Sequence, residues 1–425
     1  MTLEEYICRG VSPYHVVATT KKWLKSEQFI ELKLGEEWEL DKGQGYFVSP
    51  YESVIFAFRP GDEDVRIATG HTDQPMLKLK PSPTIDREGN LLANVEAYGG
   101  MILNTWFDRP LSLAGKIALR SEEVFKPHIV LYDSKEPVAV IPSLAIHLNR
   151  EVNSKNELKV QQHLLPVIGL TDHVEDDDLE EDLLLSYIAD KLDVDIDDIL
   201  DYDLFFYNPA EPSRVGINKE ILLSPRLDNL TSCYSATKAM LDEDSSHTTV
   251  MALFDNEEIG SRSKQGAGSS LFLEFLTRAM NAMNACLITT DLTLDSLNKT
   301  GFMMSLDVAH AYHPNYRDKS DITTKTYLGD GIVLKTSGSQ KYNSDARTNA
   351  IVMQLCDEYK IPFQRQINHS DIAGGSTLGP ILSQFLPIPG VDIGVGVLAM
   401  HSAEETCAYR DCEALTDVVR AFLKE

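Results

Sequence analysis

Short apolar runs that stop at an acid or a histidine recur along this chain. Val65-Arg66-Ile67-Ala68-Thr69-Gly70 runs into His71, Val250-Met251-Ala252-Leu253-Phe254 into Asp255-Asn256-Glu257-Glu258, and Gly301-Phe302-Met303-Met304-Ser305-Leu306 into Asp307. A fourth run, Val391 to Met400, ends at His401 and reads as the last strand. Runs of this length bounded by polar residues predict buried strands. Helical spacing fills the gaps: Tyr14, Val17, Ala18, Trp23 and Leu24 within Ser12 to Ser26, then Leu230, Cys233, Ala236, Ala239 and Met240, then Leu271, Phe275, Leu276, Ala279 and Met283. Gly43 to Phe58 alternates as strands do. Strands alternating with helices predict an α/β fold, a mixed sheet flanked by helices.

The pattern changes between residues 81 and 212. Asn90 to Leu119 carries glycines and period-two apolar positions, which predict antiparallel strands and an inserted β-rich domain between catalytic parts 1–80 and 213–425. Within it, Ser143 to Leu148 sets His147 on a largely apolar segment, where a core or interface histidine is the simplest reading. Glu175 to Asp182 is a run of like charge that reads as a solvated helix start or loop. It lacks the spaced oxygens and glycine turn of a calcium loop. Leu183 to Leu200 has helical spacing, and Asp201 to Tyr207 reads as a return strand.

The 425 residues allow two or three domains, and the formal net charge of -26 repels nucleic acid and anionic membranes. The N-terminus has neither a basic nor an apolar leader region, and no apolar stretch approaches the ~20 residues of a membrane span, so a cytoplasmic location is expected. Six scattered cysteines predict reduced, mostly buried thiols.

The chemistry lies at the strand ends. Open α/β sheets gather ligands at the carboxyl ends of their strands, which makes His71, Asp228, Glu258, Asp307 and His401 convergent candidates. Two imidazoles and three carboxylates suffice for two divalent metal ions, zinc above all, if Asp228 bridges them; an oxygen-rich site also accepts manganese or cobalt. Glu257, beside a ligand and not needed as one, is the candidate general base. Asp73, two residues after His71, is placed to fix its tautomer or approach the metal. Each motif has a plainer reading taken singly: an acidic turn for Glu257-Glu258, a helix N-cap for Asp228, a satisfied polar group for His71.

His71-Thr72-Asp73, Arg226-Leu227-Asp228-Asn229, Asp255 to Ser261, Asp307 to Tyr316 and Ala399-Met400-His401-Ser402 stand in the order seen in the aspartyl aminopeptidase family, which this chain resembles over nearly its whole length. In the insertion, Tyr98-Gly99-Gly100, Trp106 to Arg109 and Leu113-Ala114-Gly115 are similar to that family's dimerisation domain. The resemblance implies a zinc-exopeptidase-like catalytic fold and a two-zinc aminopeptidase that removes acidic N-terminal residues from peptides. It also implies a homo-oligomer, a tetrahedral dodecamer built from dimers. It further implies that His147 reaches a neighbouring subunit's active site, that Lys335 meets the substrate's acidic side chain and that Tyr342 lines the same pocket. Thr336 to Ser339 and Asn368 to Thr377 depart from the family's animal and fungal pattern, which bears on fine specificity. The rival readings are a two-metal aminopeptidase of broader or neutral specificity and a non-catalytic assembly protein.

Overall fold

Residues 1–171, 182–242, 245–289 and 292–425 are described by a computed structural model, so the acidic run from Glu175 to Glu181 lies outside the described residues. The chain divides into two compact units, one of residues 1–73, 212–400 and 405–425, the other of residues 74–211 and 401–404.

The first unit is built on a nine-stranded mixed sheet. Its order is Ile30–Glu31, Tyr46–Tyr51, Val54–Arg59, His247–Phe254, Glu63–His71, Phe302–Leu306, Gly390–Gly394, Ile332–Lys335 and Phe363–Gln366. The four strands from His247–Phe254 to Gly390–Gly394 run parallel, and antiparallel pairs flank them on both sides. Parallel strands are buried on both faces, which is why they read as largely apolar runs without strict alternation. In His247–Phe254, Met251 and Leu253 pack with Leu230, Ala236, Leu415 and Val418 of the helices Leu227–Asp242 and Tyr409–Lys424. The alternate residues Val250, Ala252 and Phe254 pack with Phe272, Phe275 and Ala279 of the helix Leu271–Ala285. A smaller sheet in the same unit joins Ser213–Val215, Ile221–Ser224, Glu405–Ala408, Gly396–Leu398 and Ala309–His310.

The second unit is a strand ring. Ile199–Tyr207, Met76–Arg87, Asn90–Tyr98, Val167–Leu170, Ala139–Val140 and Pro110–Leu119 pair in turn, and the last returns to the first. The strand His128–Asp133 adds to Pro110–Leu119.

Three expectations change. The run from Val391 to Met400 is not one strand and not the last: it divides into Gly390–Gly394 in the large sheet and Gly396–Leu398 in the small one, and Glu405–Ala408 follows. At the break a Cβ on Gly394 would lie 1.9 Å from the carbonyl oxygen of Asp307, so the chain passes there only as glycine. The helix after the acidic run stops at Leu192, because Asp193 takes a left-handed conformation (φ 55°), and Ile199 and Leu200 already belong to the return strand. His147 is not a core histidine. It lies on an exposed turn with Leu144, Ile146 and Leu148, which are 59%, 48% and 75% exposed.

Four of the six cysteines are buried, and none is in a disulfide. Among the described residues, no helix is long and apolar enough to cross a membrane.

Candidate metal centre

Register brings the strand ends together. Phe254 pairs with His71, Ser305 with Thr69 and Leu306 with Ile393, so His71, the Asp255 to Glu258 segment and Asp307 emerge at one end of the parallel block. Asp228 reaches them from the opening of Leu227–Asp242, where its backbone is non-helical (φ -81°, ψ 104°) and the Asp228–Asn229 peptide is cis. Asn229 Nδ2 donates to the carbonyl of Leu306 at 2.9 Å, tying this opening to the strand that delivers Asp307.

His71 is fully buried at the hub. Its Nδ1 lies 3.0 Å from the backbone carbonyl of Asp73 and must donate to it, because a carbonyl only accepts. That sets the tautomer and turns Nε2 toward Asp228 Oδ1 at 3.3 Å and Asp307 Oδ1 at 3.7 Å. Burial opposes a charge on this ring, but the carboxylates of Asp228, Asp307 and Asp73 outweigh it and hold its pKa well above the ordinary histidine value.

Asp73 does more than orient a histidine. Its Oδ1 accepts the N–H of Glu257 and its Oδ2 the N–H of Glu258, both at 3.1 Å, so one buried carboxylate holds the backbone of both glutamates. Their segment is the 3₁₀ turn Glu257–Ile259, closed by Gly260 at φ 96°, a conformation only glycine adopts without strain. The Glu257 carboxyl is pushed up to about 8, first by burial, then by Asp307, Asp73 and Asp228, against an opposing contribution from His71.

One donor atom each from His71, Asp228 and Asp307 lies within 4.8 Å of the others, and the same holds for His71, Glu257 and Glu258. Buried anions around one imidazole demand a cation, and nitrogen with hard oxygen donors suits zinc-class divalent ions. The residues present therefore fit the metals the sequence implied.

Lys335, at the end of Ile332–Lys335, is buried with Nζ 3.7 Å from Asp307 Oδ2 and 5.4 Å from the Tyr342 ring centre. Tyr342 is buried too, and its hydroxyl accepts from Asn368 Nδ2 at 3.5 Å. Asp392, fully buried in Gly390–Gly394, accepts from Thr377 Oγ1 at 2.6 Å and from the N–H of Asn343, and so anchors the segment that carries Tyr342. Burial raises its pKa, opposed by Lys335. An acid inside an apolar run was a readable signal, yet the sequence reading passed over it. A cavity of about 470 Å³ in the same unit is bordered by His310, His313, Gln366, Asn368 and Met400.

His147 and His401 belong to the second unit. There His401 Nδ1 lies 2.9 Å from the carbonyl of Gly100, to which it donates.

Comparison with known proteins agrees with this geometry. Residues 6–423 match the profile of a family described as aminopeptidase I zinc metalloprotease (M18). A probable M18 family aminopeptidase 2 of Clostridium novyi (strain NT) is 40% identical over 416 residues, 96% of this chain and 94% of that protein. One of the same description from Pseudomonas savastanoi pv. phaseolicola is 35% identical over 425 residues, 99% and 96% of the two chains. Among solved structures, the chain superposes on one described as the Ape4 and Nbr1 complex with a TM-score of 0.91 at 30% identity, covering 99% of this chain and 84% of the other. It superposes on prApe1 with a TM-score of 0.90 at 25% identity, covering 99% and 93%.

Proposed function

Because the chain belongs to the aminopeptidase I zinc metalloprotease (M18) family, whose members are metalloaminopeptidases, we propose that it releases N-terminal Asp and Glu from peptides at a two-metal site. The observation that carries this reading is the buried meeting of His71, Asp228 and Asp307 beside Glu257 and Glu258. His71, Asp228, Glu258 and Asp307 would hold two divalent ions, and His401 would complete the set on the strength of its sequence motif. When bound, zinc-class ions would supply Lewis acidity toward a peptide carbonyl and lower the pKa of water toward neutrality. Glu257 takes a proton from that water at its carboxylate and gives it to the departing amine nitrogen. Asp73 keeps Glu257 in place through the backbone.

Lys335 selects the substrate. Its buried ammonium already lies 3.7 Å from Asp307 Oδ2; a bound acidic side chain adds a direct counter-charge to it that a neutral side chain does not. The acidic protein repels acidic peptides at long range, but screening over about 8 Å at physiological salt lets the local lysine decide. Tyr342, whose ring centre lies 5.4 Å from the Lys335 ammonium, is assigned to the same pocket, and His147 to a neighbouring subunit's site in a tetrahedral dodecamer. A cytoplasmic location completes the reading.

The test is hydrolysis of a panel of aminoacyl chromogenic substrates with and without chelator. Chelator-sensitive cleavage confined to Asp and Glu, lost as a preference in Lys335→Leu, is the expected result. Equal cleavage of neutral residues removes the specificity and keeps the metalloaminopeptidase. No cleavage with any divalent metal removes both.

A further inference from the structure

Glu405 has no place in the chemistry described so far, yet it is one of the few carboxylates buried in the first unit. It opens the strand Glu405–Ala408, which pairs antiparallel with Ile221–Ser224, and Glu405 itself stands opposite Ser224. That register sets it four residues before Asp228 on the neighbouring strand's exit. Its Oε2 accepts the backbone N–H of Asp228 at 2.9 Å in a buried setting.

The position of that hydrogen bond matters more than its existence. Asp228 lies within Leu227–Asp242 but has extended ψ (104°), so its backbone departs from the helix path at the residue whose side chain faces His71 Nε2. The hydrogen bond that the Asp228 N–H donates to the Glu405 carboxylate fixes the orientation of the peptide plane before Asp228, and with it the direction of its Cα–Cβ bond. The small sheet in turn fixes Glu405, since Thr406, Cys407 and Ala408 are all laddered to Ile221, Leu222 and Leu223. The acceptor is therefore held by a sheet that carries none of the convergent ligands of the first unit.

We infer that Glu405 is a positioning residue, which aims the Asp228 carboxylate at the candidate metal centre through its backbone N–H. The inference rests on the reading of Asp228 as a ligand. Residues behind a metal ligand typically contribute about 10- to 100-fold in affinity when they orient it.

Three substitutions separate the hydrogen bond from the charge and from simple loss of folding. Glu405→Gln keeps an oxygen acceptor at the same reach. Glu405→Asp keeps the charge and withdraws the acceptor by one methylene. Glu405→Ala removes both. Zinc affinity of each metal-stripped protein is measured by competition with a chromogenic chelator, with circular dichroism confirming the fold and hydrolysis followed separately. The expected result is wild-type affinity within about threefold for Glu405→Gln and a loss of about 10-fold or more for Glu405→Asp and, where it folds, Glu405→Ala. Undiminished affinity in Glu405→Asp overturns the inference while leaving the metal centre intact, and so does a loss in Glu405→Gln equal to that in Glu405→Asp. Wild-type protein that binds no zinc overturns the metal centre as well.

Discussion

Glu257 holds its proton in the metal-free protein to about pH 8, well above the 4.5 of a free glutamate, first because it is buried and then because three other carboxylates surround it. The sign of the consequence follows from linkage. The unfolded chain gives up that proton near 4.5 and the folded chain near 8, so the contribution to stability is complete below 4.5 and drains away as pH rises to about 8. In chelator, the wild-type protein is expected to lose stability across that window, and Glu257→Gln, which has nothing to titrate, to change less; urea unfolding midpoints at each end measure the difference. With metal restored, Glu257→Gln is expected to retain its metal content and lose turnover by about 10²- to 10⁴-fold, the contribution of a positioned general base. Normal turnover in that variant assigns the proton transfer elsewhere.

Strand ends were legible because a buried strand must be apolar, and a polar residue that follows it at once stands out. Strand order was not legible: nothing in Val65 to Gly70 announces that it lies between His247–Phe254 and Phe302–Leu306. Nor was the double role of Asp73, since two N–H groups at residues 257 and 258 become its partners only when register places them there. The break between Gly390–Gly394 and Gly396–Leu398 was hidden by continuous hydrophobicity, although two glycines in three residues marked the place. Those glycines carry a prediction. A methyl group at position 394 would meet the Asp307 carbonyl, so Gly394→Ala is expected to cost about 1–3 kcal/mol in overpacking and to weaken metal binding by displacing Asp307. Differential scanning calorimetry with and without zinc checks both; an unchanged melting temperature shows that the backbone gives way freely.

Across the whole molecule, a charge of -26 keeps copies apart unless apolar surface opposes it. Leu144, Ile146 and Leu148 around His147 supply such surface. Ile146→Glu with Leu148→Glu is therefore expected to shift the protein to smaller species in analytical ultracentrifugation, while single-chain folding by circular dichroism stays unchanged; sedimentation identical to wild type refutes the assignment of this turn to an interface. The strand order of the large sheet also bears on how the protein is made. Glu63–His71 leaves the ribosome early, but both of its neighbours, His247–Phe254 and Phe302–Leu306, are encoded far downstream. At about 5–20 residues per second, roughly 180 residues of further synthesis leave this hydrophobic strand unpaired on both edges for on the order of 10–35 s. The ring-forming segment, residues 74–211, is translated within that interval, and its strands find all their partners among themselves. The nascent chain thus completes one self-sufficient module while the central strand of the other waits, and that waiting strand is where a holding chaperone has most to protect.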